Sequence, residues 1–182
     1  MRFSAIETID LRRSEFEWRA STGPFGCITV NDALKDAQAT LEVRLFGCIR
    51  IAAAKSQPAA VKGEIMRYLA ELAWAPDAIL SNNALIWTVI DDRSFRVSAG
   101  HDNTRGTVDL RLDDNGRIDS ISAEDRPRQE GGRFVERHWH GRFFDYRLHQ
   151  GRWLPFAGEV GWVLDGALFT AWRGEITSWA VS

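Results

Sequence analysis

Glu64, Arg67, Tyr68 and Glu71 set two carboxylates, a guanidinium and a phenol three and four residues apart, the spacing of neighbours on one helix face. If that face looks into a cavity, two carboxylates and a guanidinium can hold a polar head group, or one glutamate can act as a general base whose proton affinity burial has raised. On an outer face the same residues are a strip of helix-stabilising ion pairs, and in the interior a Glu–Arg pair ties helix to sheet. A second group, Asp145, Tyr146, Glu159 and Arg173, lies amid aromatic residues in strand-like sequence. Alternation puts Asp145 on the face of Trp139 and Phe143, and Tyr146 on the face of His140 and Phe144. An acid among aromatics is a functional carboxylate or the partner of an arginine such as Arg173 or Arg93. Pairing is the expected state, because a lone buried charge is expensive.

His138 and His140 leave one strand face together with Glu136 and Arg142. Two such histidines hold a Zn or Fe ion only with a third ligand, from Glu136 or the distant His101, and no motif nominates either. A solvated sheet face is expected, and no metal is assigned. Catalytic candidates are therefore Glu64, Glu71, Asp145 and His140. There is no Gly-x-Ser-x-Gly elbow, neither cysteine has a histidine beside it, and no glycine-rich loop leads a strand into a helix, so no cofactor is expected.

The aromatic residues suggest a surface for an apolar molecule. Trp139, Phe143, Tyr146, Trp162 and Trp172 punctuate successive strand-like runs, the pattern of a curved antiparallel sheet with an aromatic-rich face. With Trp87, and with Arg67 and Tyr68 from the helical segment, they are the expected ligand-binding residues; Trp153 is a further rim candidate. Indole N–H groups need partners when buried, so several of the eight tryptophans should be half-exposed at such a rim.

These residues must be positioned by strands and one helix. Strand-like runs occupy Phe3 to Ile51, with a turn at Thr22-Gly23-Pro24, a polar break at Asn31-Asp32 and one long run from Ala39 to Ile51. Ala52 to Pro58 is expected as a connector. Ala59 to Trp74 reads as the helix, opened by Pro58 and stopped by Pro76, with Val61, Ile65, Leu69 and Leu72 as its buried stripe. A short helical turn is expected over Asp77 to Leu80. Strands return at Leu85–Asp91, Phe95–Ala99, Thr107–Leu112, Ile118–Glu124, Phe134–Leu148, Trp153–Leu164 and Leu168–Ala180, joined by short turns that make neighbours antiparallel. Arg126 to Gly132 reads as a polar loop, a candidate for mobility over an opening. The expected fold is mainly β (α+β): a curved antiparallel sheet or incomplete barrel of about ten strands packed on one central amphipathic helix, preferred over a sandwich with the helix capping one end because a strong apolar stripe needs a concave sheet. Gly141, Gly158, Gly161 and Gly174 fall inside strands, where glycine permits curvature or close approach.

With 182 residues, 45% of them hydrophobic, the chain can bury one core without staples, and one domain is expected. A formal net charge of -2 and the lack of a basic run argue against nucleic acid. Arg126, Arg128, Arg133, Arg137 and Arg142 are interleaved with Asp125, Glu130, Glu136 and Asp145, the pattern of a solvated sheet face. Cys27 and Cys48 lie in apolar runs and are expected buried and reduced. The N-terminus lacks an apolar signal core and no run reaches the ~18 apolar residues that span a bilayer, so a soluble cytoplasmic protein without stable membrane insertion is expected.

Gly63-Glu64-Ile65-Met66-Arg67-Tyr68-Leu69-Ala70-Glu71-Leu72-Ala73-Trp74-Ala75-Pro76, followed by Trp87-x-x-Ile90-Asp91-Asp92-Arg93-Ser94, resembles the centre of a bacterial family of unknown function. Trp139-x-Gly141-x-Phe143-x-Asp145-Tyr146-Arg147, Gly158-Glu159-Val160-x-Trp162 and Trp172-Arg173-Gly174-Glu175-Ile176 are similar to its closing motifs. The resemblance implies a fold like the half-barrel of lipoprotein-localisation carriers, and no activity. Longer members often begin with membrane-anchoring or extra segments, and the start at Met1 departs from them, which argues against a membrane-linked role. The expected function is binding of a small apolar or amphipathic molecule between sheet and helix. The alternative is a cofactor-independent lyase, isomerase or hydrolase acting on an apolar or aromatic substrate there. Exposed aromatics forming a homodimer face are a third use.

Overall fold

The computed structural model describes residues 2–54 and 56–181. Five strands, β1 (Phe3–Ile9), β2 (Phe16–Thr22), β3 (Ile28–Lys35), β4 (Gln38–Leu45) and β5 (Ile49–Ala54), form a first antiparallel meander. Helix α1 (Pro58–Ala70), a 3-10 turn (Glu71–Ala73) and helix α2 (Pro76–Ser81) come next. Seven more strands, β6 (Ile86–Asp91), β7 (Ser94–Ala99), β8 (Gly106–Leu112), β9 (Ile118–Glu130), β10 (Arg133–His149), β11 (Arg152–Leu164) and β12 (Ala167–Glu175), form the second meander. In both sheets spatial order follows chain order, as short connections require. Neither sheet closes into a barrel: β1, β5, β6 and β12 are edges. No helix of the described residues is long and apolar enough to cross a membrane.

The helix forms where expected. Pro58 has no N–H to lose at the first helical position, and Gln57 before it is extended. Val61, Ile65, Leu69 and Leu72 are buried, joined by Met66 at 0% exposure. α1 packs on β7, β8 and β9 of the second sheet and on β3 and β4 of the first, so it lies between the sheets. Gly106 permits that closeness: a Cβ there would stand 2.8 Å from Ile65 and 2.9 Å from Met66. Leu34 and Phe16 close the core on one side, and Val97, Val108, Leu110 and Ile121 on the other. Burying each such side chain contributes about 1.5–3 kcal/mol.

Among the described residues the strands number twelve, because several runs divide or extend differently from expectation. Asn31-Asp32 is no break: β3 runs through it, and the turn comes at Asp36-Ala37, with φ of 48° and 56°. The run from Ala39 to Ile51 is two strands folded back at Phe46-Gly47, with φ of 53° and 71°. Positive φ at both central residues is what type I′ hairpins need, and it recurs at Gly131-Gly132, Gln150-Gly151 and Asp165-Gly166. β5 continues to Ala54, into the expected connector, of which Lys55 lies outside the described residues.

Arg126 to Gly132 is not a loop. β9 extends to Glu130, pairs with β10, and turns only at Gly131-Gly132. β8 pairs with β9 no further than Ser122, so Pro127, which has no N–H to donate, stands where the strand has one neighbour. The cysteines are free but not core: Cys27 is half-buried and Cys48 exposed beside the Phe46-Gly47 turn.

Candidate functional site

The polar centre is assembled around Arg67. Glu7 on β1, Trp18 on β2 and Asp32 on β3 are direct cross-strand neighbours, so all three face the same way. Arg67 reaches them from α1. It donates from Nη2 to Glu7, from Nη1 to Asp32 and from Nε to Glu71, each at 2.7 Å. Its guanidinium lies 4.5 Å from the Phe16 ring centroid and 5.4 Å from that of Trp18. The helix is thus tied to the first sheet by a largely buried arginine whose three nitrogens each hold a carboxylate.

The second sheet contributes Arg126. The register between β9 and β10 slips by one between Arg137 and Trp139, giving β9 an extra residue over Glu124-Asp125. A bulge of this kind re-aims the side chains beyond it. Ile121 and Ala123 face inward before it, and Arg126 faces inward after it, its guanidinium 4.0 Å from the Trp139 ring and 5.4 Å from that of Trp162. The expectation of a solvated arginine face therefore fails at Arg126. It does hold for Arg137, which pairs with Glu130 at 2.8 Å.

Three polar atoms of this centre are buried without a hydrogen-bond partner: Oε2 of Glu64, Oε2 of Glu71 and Nε of Arg126. Such atoms are uncommon in folded proteins and call for an explanation. Burial pushes Glu64 up to about 7, with Asp32 adding to the rise while Arg126 and Arg67 oppose it. Burial likewise pushes Glu7 up to about 9, the Glu71 carboxylate reinforcing it against the pull of Arg67. Asp32 is raised for the same first reason. Burial lowers the proton affinity of Arg126. That of Arg67 is raised, because Glu71, Glu7 and Asp32 outweigh the cost of its burial.

Aromatic rings continue from this centre along the seam between the sheets. Trp74 meets Phe143 edge-on at 5.0 Å and Trp172 at 5.9 Å; Trp172 lies 6.4 Å from Phe3, and Phe3 5.9 Å from Trp18. Trp74 donates Nε1–H to the Pro155 carbonyl at 2.8 Å and lies over Gly158, where a Cβ would approach its ring to 2.9 Å. Trp139 and Phe143 are buried, whereas Trp18, Trp74, Trp162 and Trp172 keep some exposure. Among the described residues no group of three His, Cys, Asp or Glu side chains converges as metal ligands.

A sequence model described as a family of unknown function, DUF6920, matches residues 1–180. The chain belongs to DUF6920. No curated protein matches it, and no solved structure does. The match takes in both sheets, the helices and every residue of the buried centre.

Not all of the residues singled out in this DUF6920 chain come together. Asp145 adopts a left-handed φ of 58° and is skipped in the pairing of β10 with β11. That reverses the alternation. Asp145 is exposed and pairs with Arg147 at 2.5 Å, not with Arg173 or Arg93. Tyr146 turns inward, away from the His140 face, and donates its hydroxyl to the Ile118 carbonyl at 2.6 Å. His140 lies on the outer face in a groove of about 320 Å³ with Asp109, Arg111, Ser120 and Ser122; burial lowers its proton affinity. Glu159 falls between Arg142 and Arg173 in register. Tyr68 is buried in a clasp, donating to the Asp10 carbonyl at 3.1 Å and accepting from Asn82 at 3.0 Å, and burial pushes it up to about 12. Trp87 stands on edge strand β6 and Trp153 against Arg117, both part-exposed and apart from the seam.

Glu7, Asp32, Arg126 and Trp74 are the residues of the centre and seam that sequence reasoning passed over. For Asp32 a signal existed, since Val30, Asp32 and Leu34 alternate as one strand face. For Arg126 there was none, because its direction depends on a bulge.

Proposed function

We propose that this DUF6920 chain binds a small amphipathic molecule between its two sheets, beside α1. The polar head meets Glu64 and Glu71 beside Arg126, and the apolar part lies along Trp74, Trp162 and Trp172. One observation carries this reading: three buried polar atoms lacking partners stand at one end of a track of partly exposed aromatic rings. The track runs where edge strands β1 and β12 approach through Phe3 and Trp172, so a guest can enter without breaking a ladder of backbone hydrogen bonds. A helix held against an open antiparallel sheet is what the analogy with the half-barrel of lipoprotein-localisation carriers rests on. The setting we propose is the cytoplasm. Uptake of the neutral fluorophore N-phenyl-1-naphthylamine tests the site. Joint replacement Trp162→Ala and Trp172→Ala should weaken uptake at least tenfold while leaving a cooperative unfolding transition. Loss of folding along with uptake would make both rings core and remove the proposal.

A cofactor-independent lyase, isomerase or hydrolase acting in the same seam is the second reading. Glu64 favours it, since an unpaired carboxyl oxygen near neutrality suits a general base. Of the other catalytic candidates only Glu71 shares that centre. Glu64→Gln abolishing turnover of a screened substrate while its binding persists would support catalysis; unchanged turnover would exclude Glu64 as the base.

For a protein partner we propose a second copy, through β6. Ile86, Trp87, Val89 and Ile90 are 38–69% exposed on this edge. Two β6 strands antiparallel about Thr88 would set Trp87 opposite Val89 and Ile86 opposite Ile90, apolar against apolar on both faces. Light scattering should show mass rising with concentration and Val89→Lys abolishing the rise; a constant monomer mass would overturn it.

A further inference from the structure

Resting on the binding reading above, we infer that the head group of the ligand is a cationic nitrogen, an ammonium on an apolar tail. The groups facing the centre are Glu7 from β1, Asp32 from β3, Glu64, Arg67 and Glu71 from α1 and the turn after it, and Arg126 from β9. Four carboxyl groups thus face two guanidiniums. Each of the three guanidinium nitrogens of Arg67 already holds a carboxylate, so its charge is engaged by Glu71, Asp32 and Glu7. Arg126 is held over Trp139 and Trp162. On the acid side Oε2 of Glu64 and Oε2 of Glu71 receive no nitrogen or hydroxyl donor, and the Glu71 carboxyl group otherwise meets that of Glu7. The Glu71 side chain is only 9% exposed, so bulk water does not serve that oxygen as it would on a surface.

An interior with excess carboxyl groups has two ways to balance its charge: keep protons on them, or accept a cation. An anionic head group would add negative charge with Arg126 alone to meet it. A neutral alcohol could donate one hydrogen bond and leave the charge as it was. A primary ammonium supplies three donors and a positive charge, which matches acceptors without partners. The aromatic track then takes the tail, since the rings nearest the acids already carry Arg126. Entry of the cation displaces protons from the carboxyl groups, so binding and proton release are linked.

Three ligands with one tail separate the possibilities: decylamine, 1-decanol and decanoate, below their micellar concentrations, by titration calorimetry in two buffers of different ionisation heat near pH 6.5. Decylamine should bind at least tenfold more tightly than 1-decanol, decanoate should bind most weakly, and decylamine alone should release protons. Glu64→Gln, close in shape to the native side chain, should weaken decylamine about tenfold and leave 1-decanol within twofold. Decanoate binding as tightly as decylamine, or decylamine indifferent to Glu64→Gln, would overturn the cationic head group while leaving the apolar site standing. No binding by any of the three would remove the site and the head group together.

Discussion

Arg67 carries the strongest prediction at the scale of single residues. Its three carboxylate partners come from two strands and the helix end, and removing it leaves all of them buried without a hydrogen-bonded cation. Arg67→Met should cost about 3–5 kcal/mol in urea unfolding, and Arg67→Lys should recover little, because a point charge cannot serve three directions at once. A second prediction concerns pH. Folded Glu64 and Glu7 hold protons up to about 7 and 9, against an ordinary 4.5, and Asp32 is raised too. The stabilisation this gives is complete below 4.5 and is lost as pH rises through those values, so the unfolding midpoint should fall from pH 5 to 9. Glu64→Gln should flatten the part below about 7 by on the order of 2 kcal/mol. An unchanged slope would mean that Glu64 is not buried as described. The helical half of this centre was legible, because spacings of three and four put Glu64, Arg67 and Glu71 together. Glu7 and Asp32 were not, since they lie 60 and 35 residues from Arg67 in the chain and meet it only through the sheet.

Two irregularities decide which strand residues face inward. The bulge before Trp139 turns Arg126 in, and the left-handed Asp145 turns Tyr146 in. Period-two reasoning placed the regular stretches correctly, as with Trp139 and Phe143, and failed past each irregularity: in β9 one added residue reverses the later side chains, and in β10 the left-handed backbone at Asp145 does so with the register kept. Hairpins marked by glycine were readable at Gln150-Gly151 and Asp165-Gly166 but not at Phe46-Gly47, where the glycine lies in an apolar run that alternates like one strand. Asp36-Ala37 was not, for alanine gives no hint of a positive φ. The helix against β8 offers a test of packing at this scale. Gly106→Val would press a side chain into Ile65 and Met66 and should cost roughly 1–3 kcal/mol, read as a lower denaturant midpoint with an unchanged slope. A neutral effect would show that α1 can lift away from the sheet.

Two open meanders hold one helix between them, and the buried centre draws on both: Glu7 and Asp32 from the first, Arg126 from the second, Glu64, Arg67 and Glu71 from between. A mainly β architecture around a central helix was legible because the apolar stripe of α1 demands a surface to cover it. Its division into two sheets was only the less favoured of two readings, since sequence periodicity records which strands form and not where a ladder stops. The seam between the sheets is where the proposed ligand enters, and its occupancy is open to a single experiment. The protein should be purified gently from the cells that make it, weighed intact by native mass spectrometry, then denatured and extracted. A near-stoichiometric adduct is expected, one that leaves on denaturation, is identified as a small amphipathic molecule, and is lost in the Trp162→Ala, Trp172→Ala protein. A mass equal to that of the bare chain in every gentle preparation, with no small molecule in the extract, would contradict ligand binding in the seam.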